Sequence, residues 1–294
     1  MRDESGKRGE QMTTADQGFA EWNIAVARMI DALDSEDLPR LLVASLETRV
    51  AFDAALVIAY RLGRKPLVLY DDLSSEEHSV HVDGYLAGAY LLDPFYRASI
   101  EGRPSGIYRL SDVAPEGFRQ SEYYRSYYIR TLQTDEICFL TQLEDGWVAN
   151  VSLGREHPAA SFRRKEIERL RAAAPVVHAA LARHWSSGEQ PEPEADAATS
   201  LHAHVETALA NFGRSLLTKR EYQVVQLLLR GHSTRSSARE LGIAPETVRL
   251  HRKNLYAKLD VASQSELFVL FIETLAQISE DPTRDPLLHD SRES

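Results

Sequence analysis

Residues 216–259 read LLTKREYQVVQLLLRGHSTRSSARELGIAPETVRLHRKNLYAKL, and this stretch decides the fold of the C-terminal part of the chain. Thr218 and Glu221 have the T-x-x-E spacing of a capping box, which predicts the start of a helix. The apolar residues that follow recur at helical spacing, and Gly231 fits the left-handed position beyond the helix end. A second short helix is predicted to end before Gly242. Two short helices joined by a glycine corner are typical of a helix-turn-helix.

The third helix of this stretch, predicted to begin at Pro245, carries a basic surface. Val248, Leu255 and Leu259 recur at helical spacing and are predicted to face the core. Basic and aromatic residues share another face of the same helix: Arg249, Arg252, Lys253 and Tyr256. A helix fits the major groove of B-DNA, where Arg and Lys pair with the edge of guanine. The pattern therefore predicts a DNA-reading helix.

Charge is distributed unevenly along the chain. Residues 211–272 hold ten Lys and Arg against five Asp and Glu, whereas the whole chain has a net charge of −10. One compact basic module in an acidic chain indicates a local nucleic-acid site and not a general affinity for polyanions. The alternative is a small helical bundle with a solvated charged face. That alternative explains any single basic residue, but it does not explain the combination of caps, corner glycine, apolar stripe and basic face.

A fourth helix is predicted over residues 263–278, where Ser263 and Glu266 repeat the capping-box spacing. Its apolar seam includes Leu267, Leu270 and Phe271, and it is wider than a small module buries alone. We expect these three residues to form a homodimer interface, with the alternative that the seam packs only within its own chain. A dimer sets two reading helices roughly 34 Å apart on a near-palindromic duplex.

Residues 216–275 resemble the DNA-binding domain of LuxR-type (FixJ-type) transcription regulators. The resemblance rests on ordered matches: Leu217, Thr218, Arg220, Glu221, Gly231, Ser233, Ala238, Leu241, Ile243, Thr247, Val248, Arg249, His251, Asn254, Lys258, Leu259 and Val261. Its implied base contacts are Arg249, Leu250 and Lys253. Its implied phosphate contacts are Thr218, Thr234, Thr247 and Lys258, and Arg252 on the same basic face is expected to join them. Ala244 departs from the family, which usually has a Ser capping the third helix. The resemblance implies double-stranded DNA as the partner, with RNA polymerase as a further one.

The N-terminal part is predicted to be an α+β domain, with an antiparallel sheet flanked by helices. Residues 54–60 and 66–70 are β-rich runs separated by a turn with Gly63, and residues 136–143 and 147–153 form a second such pair. These spacings predict two hairpins. Helices are predicted over residues 19–33, 38–50, 75–92 (broken near Gly84), 117–131 and 162–185. Hairpins between helices favour an α+β sandwich over a parallel α/β fold.

Composition divides the chain into five parts. Residues 1–17 and 281–294 are predicted disordered tails, and residues 186–200 are an acidic, Pro-rich linker. Between them lie a sensing and dimerisation domain, residues 18–185, and the helix-turn-helix domain, residues 201–280. The single Cys138 excludes an internal disulfide and fits a reducing cytoplasm. No signal segment or apolar run of membrane-spanning length is found, so we expect a cytoplasmic protein without membrane contact.

Aromatic residues are concentrated between residues 85 and 128 of the sensing domain. They either line a small-molecule site or fill a core, and the sequence favours neither. The run Tyr90-Leu-Leu-Asp93-Pro94-Phe-Tyr96 resembles the Asp-Pro segment of autoinducer-binding domains, in which the Asp accepts a hydrogen bond from the ligand amide. More loosely, the domain resembles the GAF/PAS-like sensor halves of orphan LuxR-type regulators. Tyr90, Asp93, Tyr96 and Tyr124 are the predicted ligand-binding residues, although Asp93 in an Asp-Pro run is also a candidate helix cap.

Two other functions were weighed against a ligand-controlled regulator. Asp71 and Asp72 after an apolar strand are compatible with a phosphorylated receiver, but a receiver needs about five parallel strands. Cys138 with His157 or His178 is compatible with a nucleophile and base, but a Cys inside an apolar strand is more often a core residue. No phosphate loop or carboxylate constellation is present, and His251 has no second ligand nearby at a metal-binding spacing. We therefore expect no catalytic residues, no metal and no cofactor.

Overall fold

The computed structural model describes residues 14–74, 78, 82–86, 88–129, 133–156, 161–187, 207–276 and 285–288. Most of the predicted linker (188–200) and most of both predicted tails (1–13, 281–284 and 289–294) lie outside the described residues. Residues 14–17 are not a tail, because the first helix begins at Thr14 and places Asp16 in its first turn, where a carboxylate favours the helix dipole. Residues 186–187 are likewise the end of a helix and not the start of the linker.

A five-stranded sheet forms the centre of the N-terminal part, in the order β2-β1-β5-β4-β3. Its strands are β1 (Ala54–Tyr60), β2 (Leu67–Asp71), β3 (Gly106–Arg109), β4 (Asp135–Gln142) and β5 (Val148–Arg155). Every neighbouring pair is antiparallel, so both predicted hairpins are confirmed. The receiver alternative is wrong for this part of the chain, since a receiver requires parallel strands. Asp71 and Asp72 instead end β2, and the Asp72 carboxylate accepts a hydrogen bond from the Ala55 N–H, at 2.8 Å.

One face of the sheet is covered by three helices: α1 (Thr14–Asp31), α2 (Leu38–Glu47) and the long α4 (Arg164–Ser187), which follows α3 along the chain. The side chains between sheet and helices are almost all aliphatic, with Val57, Ile137 and Val151 from the strands among those fully buried. We call this side the aliphatic face. It is a closed core of the kind that alternating strand residues predict.

The opposite side, which we call the aromatic face, is covered by irregular helical segments. These are short turns at Gly84–Leu86 and Ala89–Leu92, helix α3 (Pro94–Ile100), and turns at Leu110–Val113, Phe118–Gln120 and Tyr124–Tyr128. Within the described residues, the predicted helix over residues 117–131 forms only at residues 122–128. Gly117 has a φ of 100° and Ser121 is extended, so the segment breaks into a 3-10 turn and a π-helical turn.

Helix α3 was absent from the sequence prediction, and the region 75–92 was predicted as helix instead. In the described part of that region His78, residues 82–86 and Ala89–Leu92 are helical, and Gly88 interrupts the helix with a φ of 135°. The signal for α3 was available: Asp93 accepts a hydrogen bond from the Phe95 N–H at 2.8 Å, and Pro94 occupies the first helical position.

Four helices form the C-terminal part: α5 (Lys219–Leu229), α6 (Thr234–Leu241), α7 (Pro245–Leu259) and α8 (Gln264–Ala276). Residues 207–211 precede them as a helical turn. Asp285, in the predicted disordered tail, is buried and accepts hydrogen bonds from the N–H groups of Gly213 and Ser215 at 3.0 and 2.6 Å. That contact ties residues 285–288 to this bundle, so they are not a tail.

Candidate DNA-binding surface and ligand cavity

The helix-turn-helix is formed by α6 and α7, and its local signals are those that the sequence predicted. Thr218 and Glu221 make both hydrogen bonds of the capping box at the start of α5. The Ser233 hydroxyl caps α6 by accepting from the Ser236 N–H at 3.0 Å. Gly242 turns the corner with a φ of 63°, in the left-handed region that favours glycine. Because each end is fixed locally, the angle between the two helices is set by a few residues.

Helix α7 presents one buried and one exposed side. Val248, Leu255 and Leu259 are buried, as predicted. The three predicted base-contacting residues, Arg249, Leu250 and Lys253, are all exposed, and Leu250 is 56% exposed despite being apolar. An exposed leucine between two cations on one helix face is the composition that reads thymine methyl groups and guanine edges in the major groove.

Neighbouring side chains hold two of the arginines of α7. The Arg249 guanidinium lies 2.7 Å from the Glu246 carboxylate one turn earlier. A hydrogen bond from its own backbone, and to a smaller extent the one from Arg249, lower the pKa of the exposed Glu246. The Arg252 guanidinium lies over the ring of Tyr256, 5.2 Å from its centroid. These contacts limit the rotamers of both arginines before any duplex is bound.

The predicted phosphate-contacting residues lie at helix starts or next to α5. Thr218 is exposed at the N-cap of α5, whereas Thr234 and Thr247 are half-buried in the first turns of α6 and α7. The Lys258 ammonium pairs with the Glu221 carboxylate at 2.6 Å. Burial acts to raise the pKa of Glu221, but the hydrogen bonds from Lys258 and Thr218 lower it overall. Lys258 therefore joins α7 to the capping box of α5 as well as standing near the surface.

Two of the predicted dimer residues point into their own chain. Leu267 and Phe271 are buried, and the Phe271 ring packs edge-on against Phe212 with centroids 5.5 Å apart. Leu270 is half-buried, and among the α8 side chains up to residue 274, which the structure describes, Val269 and Ile272 are apolar and exposed. For Leu267 and Phe271, the structure therefore agrees with the alternative prediction that the apolar seam packs within its own chain. The surface that α8 offers to a second copy is centred on Val269 and Ile272.

A cavity of about 50 Å³ lies on the aromatic face of the sheet. Its polar lining includes Tyr60, Tyr85, Asp93, Tyr128 and Glu136. The Tyr60 and Tyr85 hydroxyls are 2.5 Å apart, and Tyr85 donates to the Asp93 carboxylate at 2.5 Å. Across the cavity, the Tyr128 hydroxyl donates to the Glu136 carboxylate at 2.8 Å. The aromatic region is therefore neither a simple filled core nor a wide pocket, but a packed cluster around a small polar hollow.

Of the four predicted ligand residues, the structure places only Asp93 in the lining of this cavity. Tyr90 and Tyr96 are about 99% buried in the adjoining core, where their rings pack edge-on with centroids 4.9 Å apart. Tyr124 is half-buried and stacks on Tyr128 outside the cavity, at 5.2 Å between centroids. One oxygen of Asp93 caps α3, as the Asp-Pro run predicted, and the other accepts a hydrogen bond from Tyr85.

The sequence prediction missed Glu136 and Tyr60, which reach the cavity from β4 and β1. A charged residue at the start of an apolar strand was the available signal for Glu136. Burial raises the pKa of Glu136 to about 8, and the nearby Asp93 contributes in the same direction. Burial also raises the pKa of Asp93 to about 6, although hydrogen bonds from Tyr85 and from the backbone of α3 hold it down.

The same stretch of chain that lines the cavity also contacts the helix-turn-helix. We call residues 116–128 the docking segment: Tyr127 and Tyr128 at its end line the cavity, and its start lies on α6. The Glu116 carbonyl accepts a hydrogen bond from the Ser233 N–H at 2.8 Å, and the Glu116 carboxylate pairs with Arg239. Farther along, the Ser265 hydroxyl donates to the Glu122 carboxylate at 2.6 Å.

The fit at this contact is close enough that two glycines are required. A Cβ on Gly117 would lie 2.9 Å from the Cβ and backbone nitrogen of Ser233, and Gly117 has a φ of 100°. A Cβ on Gly231 would lie 3.0 Å from the Cβ of Ser121. The docking segment and the helix-turn-helix therefore meet backbone to backbone.

Cys138 and His178 lie on opposite faces of the sheet. Cys138 is fully buried among the aromatic cluster, and burial raises the pKa of its thiol. His178 packs on Phe139 at the aliphatic face and shares a 2.7 Å hydrogen bond with Thr141. The two side chains do not form a nucleophile and base, and His157 lies outside the described residues. Within the described ranges, no three His, Cys, Asp or Glu side chains converge as a metal site, and none of the helices combines the length and apolar character that a membrane crossing needs.

A capped helix-turn-helix with an exposed basic and apolar reading face defines a DNA-binding protein of the bacterial regulator class. The family model described as "Bacterial regulatory proteins, luxR family" matches residues 215–271. A putative HTH-type transcriptional regulator in the exeN 3' region of Aeromonas salmonicida is 37% identical over 186 residues, which cover 62% of this chain and 94% of that protein. The transcriptional regulatory protein UhpA of Escherichia coli K12 is 46% identical over 59 residues, 20% of this chain and 30% of that protein.

The chain belongs to the LuxR family of HTH-type transcriptional regulators. Its likeness to the Aeromonas protein runs over more residues than the helix-turn-helix module alone supplies. Among solved structures, the crystal structure of the VqsR LBD domain from Pseudomonas aeruginosa is similar, with a TM-score of 0.50 and 26% identity. That likeness covers 56% of this chain and 97% of that structure. The antiparallel sheet with its flanking helices is thus similar in fold to that domain and is joined to a LuxR-type DNA-binding module.

Proposed function

We propose that this regulator binds a near-palindromic DNA site as a homodimer and that a small molecule in its N-terminal domain controls the binding. Arg249, Leu250 and Lys253 read base edges in the major groove. Thr218, Thr234, Thr247, Arg252 and Lys258 contact phosphates. The observation that carries this proposal is the exposed Arg-Leu-Lys face of α7, whose opposite side is fully buried.

The ligand-sensing part of the proposal is supported by the cavity. Three polar lining residues come from three separate segments: Asp93 from the start of α3, Glu136 from β4 and Tyr128 from the docking segment. A ligand seated there contacts all three, so it favours the arrangement in which they converge. It shifts the conformational equilibrium only by its differential affinity for the two arrangements. The likeness to a domain called LBD in VqsR is consistent with this role.

Coupling between ligand and DNA follows from the docking segment. Tyr127 and Tyr128 line the cavity, while Glu116 and Glu122 bond to the N-terminal ends of α6 and α8. A movement of the tyrosines is therefore passed to α6 along a short piece of chain. Because α7 follows α6 after a single corner, the angle of the reading helix to its dimer mate changes with it. RNA polymerase is a further proposed partner of the DNA-bound state.

We propose that residues 18–185 and 201–280 are the two functional domains and that α8 contributes to the dimer through its exposed Val269 and Ile272. Leu270, half-buried beside them, completes the contact. Two exposed aliphatic residues on one helix are a small patch, so this contact needs a second interface on the sensing domain. Sedimentation of the Val269→Asp variant tests the patch: weaker dimerisation on operator DNA is expected, and an unchanged dimer would contradict it.

The base-reading assignment is tested with operator fragments recovered by genome-wide selection on the full-length protein. Arg249→Ala and Lys253→Ala are each expected to lose about 1–3 kcal/mol of preference for the operator over scrambled duplex. Lys258→Ala is expected to weaken binding to both duplexes alike and to reduce the salt dependence by about one phosphate contact. Gel shifts at three salt concentrations measure both quantities.

The matched control is Arg164→Ala, which removes an exposed, ion-paired arginine from α4, on the aliphatic face of the sheet. It is expected to leave both operator affinity and preference unchanged. If Arg249→Ala binds the operator as the control does, α7 is not the reading helix in the proposed register. If every variant including the control loses affinity alike, the binding is an effect of net charge.

A further inference from the structure

The cavity on the aromatic face is lined by several acidic side chains. Asp93 and Glu136 line its interior and Glu156 lines it as well. No Lys, Arg or His is among the lining residues in the ranges that the structure describes. Asp93 and Glu136 are 6% and 7% exposed, so water does little to screen them. A buried carboxylate without a positive partner is costly unless it holds a proton or a cation reaches it.

Neutral groups donate hydrogen bonds to these carboxylates, but they do not neutralise the negative charge. The Phe95 N–H and the Tyr85 hydroxyl donate to Asp93 at 2.8 and 2.5 Å. The Tyr128 hydroxyl donates to Glu136 at 2.8 Å. Because the partners are hydroxyls and amides, the burial that raises the pKa of Glu136 to about 8 is not offset by a positive charge. In the free protein the site therefore holds a proton. A cationic ligand would supply a positive charge in place of that proton.

The rest of the lining is suited to an organic cation. The rings of Tyr60, Tyr85 and Tyr127 border the hollow, and aromatic faces attract ammonium groups. A cavity of about 50 Å³ has room for a small ammonium group and its first carbons. Hard metal cations prefer six or more oxygen ligands without ring faces, which this hollow does not offer.

We propose that the effector of this regulator carries a small primary ammonium group that binds between Asp93 and Glu136. This inference rests on the proposed ligand-sensing function and specifies its chemistry. The ammonium donates its hydrogen bonds to the two carboxylates, with the tyrosine rings around its first carbons. Glu136 releases its proton to solvent as the cation enters, so the ammonium takes the place of that proton and the net charge of the cavity is unchanged by binding.

The proton release gives the proposal a signature. Alkylammonium ions keep their charge well above neutral pH, whereas Glu136 is protonated in the free protein below about pH 8. Binding therefore requires loss of about one proton, and the affinity for an amine rises about tenfold per pH unit between pH 6 and pH 8. A neutral ligand of the same shape shows no such dependence.

The experiment is isothermal titration of the full-length protein with n-butylamine at pH 6, 7 and 8, using n-butanol and potassium chloride as matched probes. We expect butylamine to bind with an affinity that rises with pH, and butanol and potassium to bind at least tenfold more weakly. Glu136→Gln keeps the shape of the side chain and is expected to lose at least tenfold in amine affinity together with the pH dependence. Glu144→Gln, an exposed carboxylate in the β4–β5 turn, is the control and is expected to change neither.

Three outcomes would overturn the proposal: equal binding of butanol and butylamine, binding of potassium alone, or an unchanged amine affinity in Glu136→Gln. Should the Glu136 variant fail to fold, the pH series on the wild-type protein decides, since a flat affinity contradicts proton release. The ligand-sensing function is judged separately. If butanol binds and alters operator affinity in gel shifts, that function stands while the cationic class is rejected.

Discussion

The two faces of the sheet are built from the same strands but differ in kind. On β4, Ile137 and Phe139 point to the aliphatic face, while Glu136 and Cys138 point to the aromatic face. The aliphatic face is closed by regular helices, and the aromatic face by short turns and a π-helical segment. The first arrangement maximises apolar burial. The second leaves buried carboxylates and hydroxyls around a hollow, which costs stability and is retained where a ligand or a moving part needs it.

The difference between the faces is first tested by truncating one buried side chain on each face. Phe139→Ala leaves a cavity in the aliphatic face, where the ring is fully buried, and is expected to cost about 3–5 kcal/mol of unfolding free energy. Tyr60→Phe on the aromatic face removes only a hydroxyl shared with Tyr85 and is expected to cost about 1 kcal/mol. Urea unfolding of the two variants measures both. If Tyr60→Phe proved as damaging as Phe139→Ala, the aromatic face would be a structural core and not a sensing site.

Local signals were sufficient for the parts of the molecule that use short-range contacts. The capping box of Thr218 and Glu221, the left-handed Gly242 and the antiparallel hairpins were all predicted correctly, since each depends on residues a few positions apart. The sequence left open whether a cavity exists and identified only Asp93 of its lining, because Glu136 and Tyr60 are distant from Asp93 in sequence and meet it only when β1 and β4 lie in one sheet. The sequence alone does not distinguish Tyr90 and Tyr96 from Tyr85. The three-dimensional path of the turns determines which of these hydroxyls reaches the cavity.

The second test of the difference between the faces is the pH dependence of folding stability. The pKa of Glu136 is raised to about 8 in the folded protein and lies near 4.5 for a free carboxyl, so the folded state binds the proton more tightly. Folding stability is therefore greatest below about pH 4.5 as far as this group is concerned, and it declines as the pH rises towards 8. Glu136→Gln removes that decline, and its melting temperature at pH 8 is expected to exceed that of the wild type by on the order of a few degrees.

Thermal melts of both proteins at half-unit steps from pH 5 to pH 9 measure this effect. The control, Glu144→Gln, removes an exposed carboxylate in the β4–β5 turn and is expected to follow the wild type throughout. Parallel curves for wild type and Glu136→Gln would mean that Glu136 is ionised at no cost, and the contrast between the two faces would lose its electrostatic basis.

The smallest expected effect addresses whether the aromatic face communicates with the DNA-binding helices. Gly117 and Gly63 both have positive φ angles, of 100° and 73°, so an alanine is strained at either position. At Gly117 the added Cβ would also lie 2.9 Å from Ser233. At Gly63 no atom would lie within 4 Å of the added Cβ. Subtracting the effect of Gly63→Ala from that of Gly117→Ala therefore isolates the docking contact.

We expect Gly117→Ala to open the contact between the docking segment and α6 by about 1 kcal/mol beyond the control. Hydrogen exchange reports this directly, because the Ser233 amide that bonds to the Glu116 carbonyl exchanges about five to ten times faster when the contact opens. In the same variant, a cavity ligand should change operator affinity less than it does in the wild type, since the tyrosines no longer move α6. Equal exchange and equal ligand response in the two alanine variants would show that the docking segment passes nothing to the helix-turn-helix, and that control must then run through the dimer.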